Sequence, residues 1–238
     1  MIIAKAKALT NIGFETFSKM FQAAVAPVCD YSSAVWGYAD FPCLKNVQNR
    51  ALRFFLGVHR FAPNSAIQGD MGWCPSVYRR HLAMIQYWNR LIHMDDTRLT
   101  KKVFLQEYHS SNLSTWCTEV KSLLNQAEMD DIYENGLPCD LSLFKPRFAA
   151  ITNLEWQNGV HAKPKLRTYK MFKTDLHVEP YLTGYLFRRA RSLLAQFRMS
   201  ILPLNIEVGR YSGIAPENRF CTMCTLHVPE DEIHFLCH

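Results

Sequence analysis

Apolar side chains recur three or four residues apart through most of this chain and almost never alternate at every second position. That spacing places them on one face of an α-helix, whereas a half-buried strand would need period two. Phe14, Phe17, Phe21 and Val25 form one such stripe, with Pro27 as its expected end. Leu44, Val47, Ala51 and Phe54 form the next, with Gly57 placed to stop it. Val77, His81, Ile85, Trp88 and Ile92 mark a long amphipathic helix that Ser76 is positioned to cap. Shorter stripes run through Leu99 and Val103, through Trp116, Val120 and Leu123, and through Phe148, Ile151 and Leu154. A late stripe joins Leu182, Leu186, Leu193 and Phe197, with Arg188, Arg189 and Arg191 on the other side. Asn135-Gly136 and Asn158-Gly159 follow helical stretches and read as stops rather than hairpin turns. The expected fold is all-α.

Periodicity weakens from Leu124 to Pro146, where Glu128, Asp130, Asp131 and Glu134 accompany the breakers Gly136 and Pro138. A seam there divides the chain into a helical region, 1–130, a basic helical region, 140–215, and a small end, 216–238. With 15 Phe, 10 Tyr and 5 Trp among 238 residues the chain is no disordered tail. A net charge of +6 permits a polyanionic partner without requiring one. No apolar run reaches the ~20 residues of a membrane span, and Met1-Ile-Ile-Ala-Lys-Ala-Lys lacks the apolar core of a secretory leader. An intracellular site, nucleus or cytoplasm, is expected, with the cysteines mostly reduced. Cys29, Cys43, Cys74, Cys117 and Cys139 are scattered and read as bystanders.

The remaining three cysteines fall together at the end. Cys221-Thr-Met-Cys224 is followed by His234 and then Cys237-His238. Two thiolates two residues apart can grip one tetrahedral zinc from a tight turn, and a later His and Cys can complete the shell. A redox Cys-x-x-Cys pair is the alternative, but it wants a βαβ context that this sequence lacks. Elsewhere His93-Met-Asp95-Asp96 reads as a helix end followed by an Asp cap, and Gly69-Asp-Met-Gly72-Trp73-Cys-Pro75 as a turn. His59, His81, His161 and His177 have no partner at catalytic spacing, and no Ser-His-Asp order, P-loop or GxGxxG motif stands out.

Arg219-Phe-Cys221-Thr-Met-Cys224, followed by Val228-Pro-Glu230-Asp231-Glu232-Ile-His234-Phe-Leu, resembles the terminal zinc knuckle of LINE-type (non-LTR) retrotransposon reverse transcriptases. The similarity continues upstream through Lys165-Leu-Arg167-Thr-Tyr169-Lys-Met-Phe-Lys173, Tyr181-Leu182, the run from Arg188 to Arg198, and Leu202-Pro-Leu-Asn-Ile-Glu207-Val-Gly209-Arg210. Near the start, Pro27-Val-Cys-Asp-Tyr31-Ser-Ser-Ala-Val-Trp36-Gly37 and Val47-Gln48-Asn-Arg50-Ala-Leu-Arg53 resemble the thumb that follows the polymerase palm. Thr97 to Phe148 is the least informative part. The resemblance implies a thumb-like first region, a basic C-terminal region and a CCHC-like knuckle. In such elements the knuckle closes with a Cys five residues after the His, one position past His238. The zinc set expected here is therefore Cys221, Cys224, His234 and Cys237, with His238 or water as substitutes, an incomplete site.

Polymerases of that family hold two magnesium ions on palm carboxylates. Tyr38-Ala-Asp40-Phe41 looks like the aromatic-x-Asp-Asp turn, but Phe41 stands where the second carboxylate belongs. One carboxylate cannot clamp two metals, so this chain is expected to hold no magnesium site and to be no enzyme, although its parent would be an RNA-directed DNA polymerase. What it can do is bind nucleic acid. Between His161 and Met199 stand Lys163, Lys165, Arg167, Lys170, Lys173, Arg188, Arg189, Arg191 and Arg198, against only Asp175 and Glu179. Tyr169, Phe172, Tyr181 and Tyr185 are interleaved with them. Cations neutralise phosphates while exposed rings stack on unpaired bases, and a solvated basic face over inward-pointing aromatics is the alternative. The expected partners are RNA or DNA during target-primed reverse transcription, and the missing polymerase domains. A domesticated zinc-dependent scaffold that binds protein, and a pseudogene product without selected function, are the competing readings.

Overall fold

The computed structural model describes residues 11–110, 115–184 and 186–237. The fold is all-α, 64% helical, and the pairing of Phe220 with Pro229 is an isolated antiparallel bridge. The longer helices are α1 (Phe14–Ala24), α2 (Pro42–Leu56), α3 (Asn64–Met71), α4 (Ser76–Ile92), α5 (Leu99–Tyr108), α6 (Thr115–Gln126), α7 (Leu141–His161) and α8 (Arg188–Arg198). Two short ones, α9 (Asn205–Val208) and α10 (Glu232–Cys237), flank the Cys-x-x-Cys turn. No described helix is long and apolar enough to cross a membrane.

The chain packs as two compact units that are interleaved in sequence. The described residues of the first are 11–18, 49–73, 156–184 and 186–237, and those of the second are 19–48, 74–110 and 115–155. They do not coincide with the consecutive segments 1–130, 140–215 and 216–238. The weakly periodic stretch around Leu124–Pro146 lies inside the second unit because Leu124, Ala127, Met129, Ile132, Tyr133, Cys139 and Phe144 all enter its core.

That core is apolar. Trp88 of α4 is fully buried, with its ring edge-on to Phe104 at 5.5 Å and stacked on Tyr133 at 5.3 Å. Its indole N–H donates to Leu137 O at 2.9 Å, so the one polar atom of the side chain is satisfied. Asn89, one residue on, accepts from Cys139 N and donates to Cys139 O, both at 2.7 Å. These bonds tie the irregular 137–140 segment to α4 by pairing Leu137 O and both backbone groups of Cys139.

The first unit is organised differently. Phe17 stacks on Phe55 at 4.8 Å, and Trp156 donates to Ser65 O at 2.7 Å. At its centre lies Asp70, a fully buried carboxylate of α3. It accepts from Tyr169 Oη (3.0 Å), Tyr181 Oη (2.7 Å) and the Arg198 guanidinium (3.1 Å). Arg198 also reaches Glu179 at 2.7 Å, and Glu179 accepts from the buried Lys173 ammonium at 2.6 Å. Burial pushes the Asp70 carboxyl above its ordinary range, against the opposing pull of Arg198.

Local departures from the expected helices have local causes. Pro27 stands in the first turn of a further short helix, Ala26–Cys29, where its missing N–H would have had no intrahelical partner. The Gly69–Pro75 stretch is half helix: α3 runs to Met71 and ends on Gly72 at φ +62°. A Cβ at Gly72 would meet His177 C at 2.6 Å, so only glycine fits. Ser76 is the first residue of α4 rather than its cap, and its hydroxyl accepts from Arg80 at 3.4 Å. Asp95 accepts from Thr97 N at 2.8 Å in a turn ahead of α5, whose cap position holds Arg98. The late stripe is split into Pro180–Thr183 and α8.

Candidate metal centre

Three residues gather at the end of the chain. Ligand atoms of Cys221, Cys224 and His234 all lie within 4.8 Å of one another. Cys224 Sγ and His234 Nε2 are 3.4 Å apart. Two tetrahedral ligands at ~2.3 Å (sulfur) and ~2.0 Å (nitrogen) from one ion stand about 3.5 Å apart. The donor set and its spacing therefore suit a metal ion.

The local frame explains why these atoms converge. Cys221 N donates to Val228 O at 3.0 Å and Glu230 N to Arg219 O at 2.9 Å, closing the 221–228 loop into a hairpin-like turn. Asp231 Oδ1 accepts from His234 N at 2.8 Å and so caps α10, fixing the rotation that turns His234 inward. Glu230 anchors the turn to α9 by accepting from Asn205 N at 2.9 Å through its side chain and from Ile206 N at 3.1 Å through its carbonyl. Glu232, almost fully buried, takes two bonds from Arg167 at 2.7 and 2.9 Å and one from Thr168 Oγ1 at 2.8 Å.

Cys237 does not join the cluster and is exposed. Three residues past His234 on α10, it sits ~4.5 Å further along the helix axis. His238 lies outside the described residues, as does Tyr185. Asp40, the carboxylate of the palm-like tetrapeptide, pairs with Lys45 at 2.6 Å.

The nine cations between His161 and Met199 do not form one face. Arg198 and Lys173 belong to the buried Asp70–Glu179 network. Arg191 is buried, donating to Phe55 O at 3.1 Å with its guanidinium 4.0 Å from the Phe55 ring. Arg167 is shared between Glu207 and Glu232, Lys165 lies 3.5 Å from Glu207, and Lys163 donates to Ser65 Oγ at 3.0 Å. Lys170, Arg188 and Arg189 are exposed, Arg188 with its guanidinium 5.1 Å from the Phe54 ring. The interleaved aromatics Tyr169 and Tyr181 serve Asp70 rather than facing outward.

Sequence reasoning gave no role to Glu207 and Glu232, which hold Arg167, nor to Asp70. Both glutamates stand within the segments that resemble the LINE knuckle and the run before it, but no partner could be assigned to them there. Asp70 gave none, because its partners lie about a hundred residues away. Compared with known protein families, curated proteins and solved structures, the chain finds no match.

Proposed function

We propose that this chain is a nucleic-acid-binding helical module closed by a structural zinc site, the C-terminal part of a LINE-type reverse transcriptase without a polymerase centre of its own. The observation that carries the reading is the convergence of Cys221, Cys224 and His234 at ligand spacing, within a sequence pattern that resembles the LINE knuckle. Two thiolates and an imidazole favour zinc over the hard, oxygen-seeking magnesium or calcium. When bound, zinc supplies a cross-link between the Cys-x-x-Cys turn and α10. Glu232 then holds Arg167, and Asp231 caps the helix that carries His234. RNA or DNA is the partner, gripped during target-primed reverse transcription.

A second reading, a zinc-dependent protein scaffold, draws on Met223, Phe235 and Leu236, which are exposed around the cluster. Salt separates the two. Phosphate contacts make log affinity fall linearly with log salt, whereas an apolar protein interface responds weakly. The test is zinc titration followed by RNA and DNA binding across a salt series. The expected result is one zinc per chain, with Cys224→Ser binding it at least tenfold more weakly. Strand binding should weaken steeply with salt. Equal zinc affinity in the variant would overturn the metal site, and salt-insensitive or absent strand binding would overturn the function.

A further inference from the structure

Beside α9 the first unit holds an open cleft of about 690 Å³, within the size range of small-ligand sites. Its lining includes Phe61, Lys163, Lys165, Arg167, Arg210 and Arg219, with Glu207 as the carboxylate among them. Five cations against one anion leave a formal +4. Counting Glu232 behind Arg167 leaves +3.

The cations are held rather than scattered. Arg219 donates to Ile214 O at 2.9 Å and Ile206 O at 2.5 Å, which fixes its guanidinium without neutralising it. Its stem passes so close to Gly209 that a Cβ there would meet Arg219 Cγ at 2.7 Å. Lys165, Arg167 and Arg210 all converge on Glu207, at 3.5, 2.9 and 3.2 Å. One carboxylate balances one of the three, so a concave wall carries surplus positive charge, the arrangement that concentrates anions. The same field reaches His59, whose imidazole is held below its ordinary value by burial and by the nearby charges of Lys165 and Arg53.

At the rim stands Phe61, 68% exposed, with the Arg60 guanidinium 4.7 Å from its ring. His59 Nδ1 accepts from Phe61 N at 3.1 Å and steadies the turn that presents it. An exposed ring beside a phosphate-sized concentration of cations is the combination that binds unpaired bases by stacking and their backbone by charge.

We infer that this cleft seats one single-stranded segment of nucleic acid, with backbone phosphates against Lys165, Arg167, Arg210 and Arg219 and a base stacked on Phe61. The inference rests on the proposed function, keeps Lys165 and Arg167 from the run of cations between Lys163 and Arg198, and adds contacts from outside it. Arg210, Arg219 and Phe61 lie outside that run, while Lys173, Arg191 and Arg198 inside it are engaged elsewhere.

The experiment is fluorescence anisotropy of a labelled ten-nucleotide single strand, RNA and DNA in turn, with the zinc-loaded full chain over a salt series. Phe61→Ala should weaken binding by about tenfold with an unchanged salt slope, because stacking is uncharged. Lys165→Ala and Arg210→Ala should each lower the magnitude of the slope by about 0.7, one phosphate contact on a single strand. Lys170→Ala and Arg189→Ala, exposed and outside the cleft, should leave both unchanged. Circular dichroism confirms that each variant is folded. Salt-dependent binding that Lys170→Ala and Arg189→Ala weaken, but the cleft variants do not, would overturn the cleft and leave the proposed function standing. Salt-dependent binding to no strand at all would overturn both. Displacement of the strand by inorganic phosphate as readily as by an unlabelled strand would mean a free-anion site and would overturn the single-strand assignment.

Discussion

The two compact units bury their centres by opposite means. In the second, Trp88, Phe104, Val120, Leu124 and Phe144 pack as an apolar cluster, in which the Trp88 indole donates to Leu137 O. In the first, Asp70 sits fully buried among Tyr169, Tyr181 and Arg198, with Glu179 and Lys173 extending the network. An apolar cluster tolerates changes of shape at moderate cost. A buried charged network is unforgiving of losing one member, because the partner left behind is an uncompensated charge in a poor solvent. The units should therefore differ in which substitutions they survive.

The largest effect follows from removing Arg198. It bonds Asp70 and Glu179 at once, and its guanidinium lies 4.4 Å from the Phe172 ring. Arg198→Ala should destabilise the chain by about 3–5 kcal/mol, the usual cost of orphaning a buried ion. The loss should be smaller at pH 5 than at pH 8. Burial already pushes the Asp70 carboxyl up, and without the arginine it can relieve its charge by binding a proton. Urea unfolding at the two pH values measures both effects. A cost under about 1 kcal/mol at pH 8 would mean that the network is decorative and the contrast between the units false.

The contrast also explains what was legible in the sequence. The all-α fold, α1 and α4 could be read because apolar periodicity reports directly on which face is buried, and Gly57 does end α2 in a left-handed residue, although the α2 stripe is offset from the buried face, with Val47 exposed and Gln48, Leu52 and Phe55 buried. The Cys221–Cys224–His234 cluster was legible because a metal demands particular atoms at close spacing. The Asp70 network was not, since Asp70, Glu179 and Arg198 read as solvated charges until the chain brings them together. The same blindness affected the basic run, in which Lys173, Arg191 and Arg198 turned out to be interior residues. Periodicity failed outright on α5, where Leu99 and Val103 are exposed while Lys101 is buried. The Lys101 ammonium donates to Leu91 O and Ile92 O at the end of α4, a use of charge that no hydrophobic stripe signals.

The second unit carries its own titrating weak point, of intermediate size. Burial, and secondarily the charge of Arg80, push the His81 imidazole from 6.5 down to about 4. Glu119 lies 3.6 Å away, but burial also raises its carboxyl, so in acid it offers little charge to a protonated imidazole. Between pH 6.5 and 4 the unfolded chain binds a proton at this position and the folded chain does not. Stability is therefore present above 6.5 and lost as pH falls toward 4, by on the order of 2 kcal/mol. His81→Gln should flatten that part of the stability–pH curve relative to the wild type. Parallel curves for the two proteins between pH 6.5 and 4 would show that His81 titrates freely and that this core is less apolar than its composition suggests.

The smallest effect tests the orientation of α8, where sequence and structure disagree most sharply. Apolar spacing assigns Leu193 to the interior and Arg191 to the solvent. In the structure Leu193 is 52% exposed and Arg191 only 5%. Arg191 is interior because its guanidinium finds two carbonyls, Phe55 O at 3.1 Å and Ile12 O at 3.3 Å, and the face of Phe55. A leucine at that position would leave both carbonyls without this donor. Leu193→Gln should thus change stability by no more than about 0.5 kcal/mol, as for a surface position with ordinary helix propensity on both sides of the change. Arg191→Ala should cost about 1.5–3 kcal/mol, the range for losing hydrogen bonds from a charged group. Both numbers come from the same urea titration, and their order is the test. If Leu193→Gln proves the costlier of the two, α8 is rotated so that its apolar stripe faces inward, and the first unit is built more like the second than its polar centre implies.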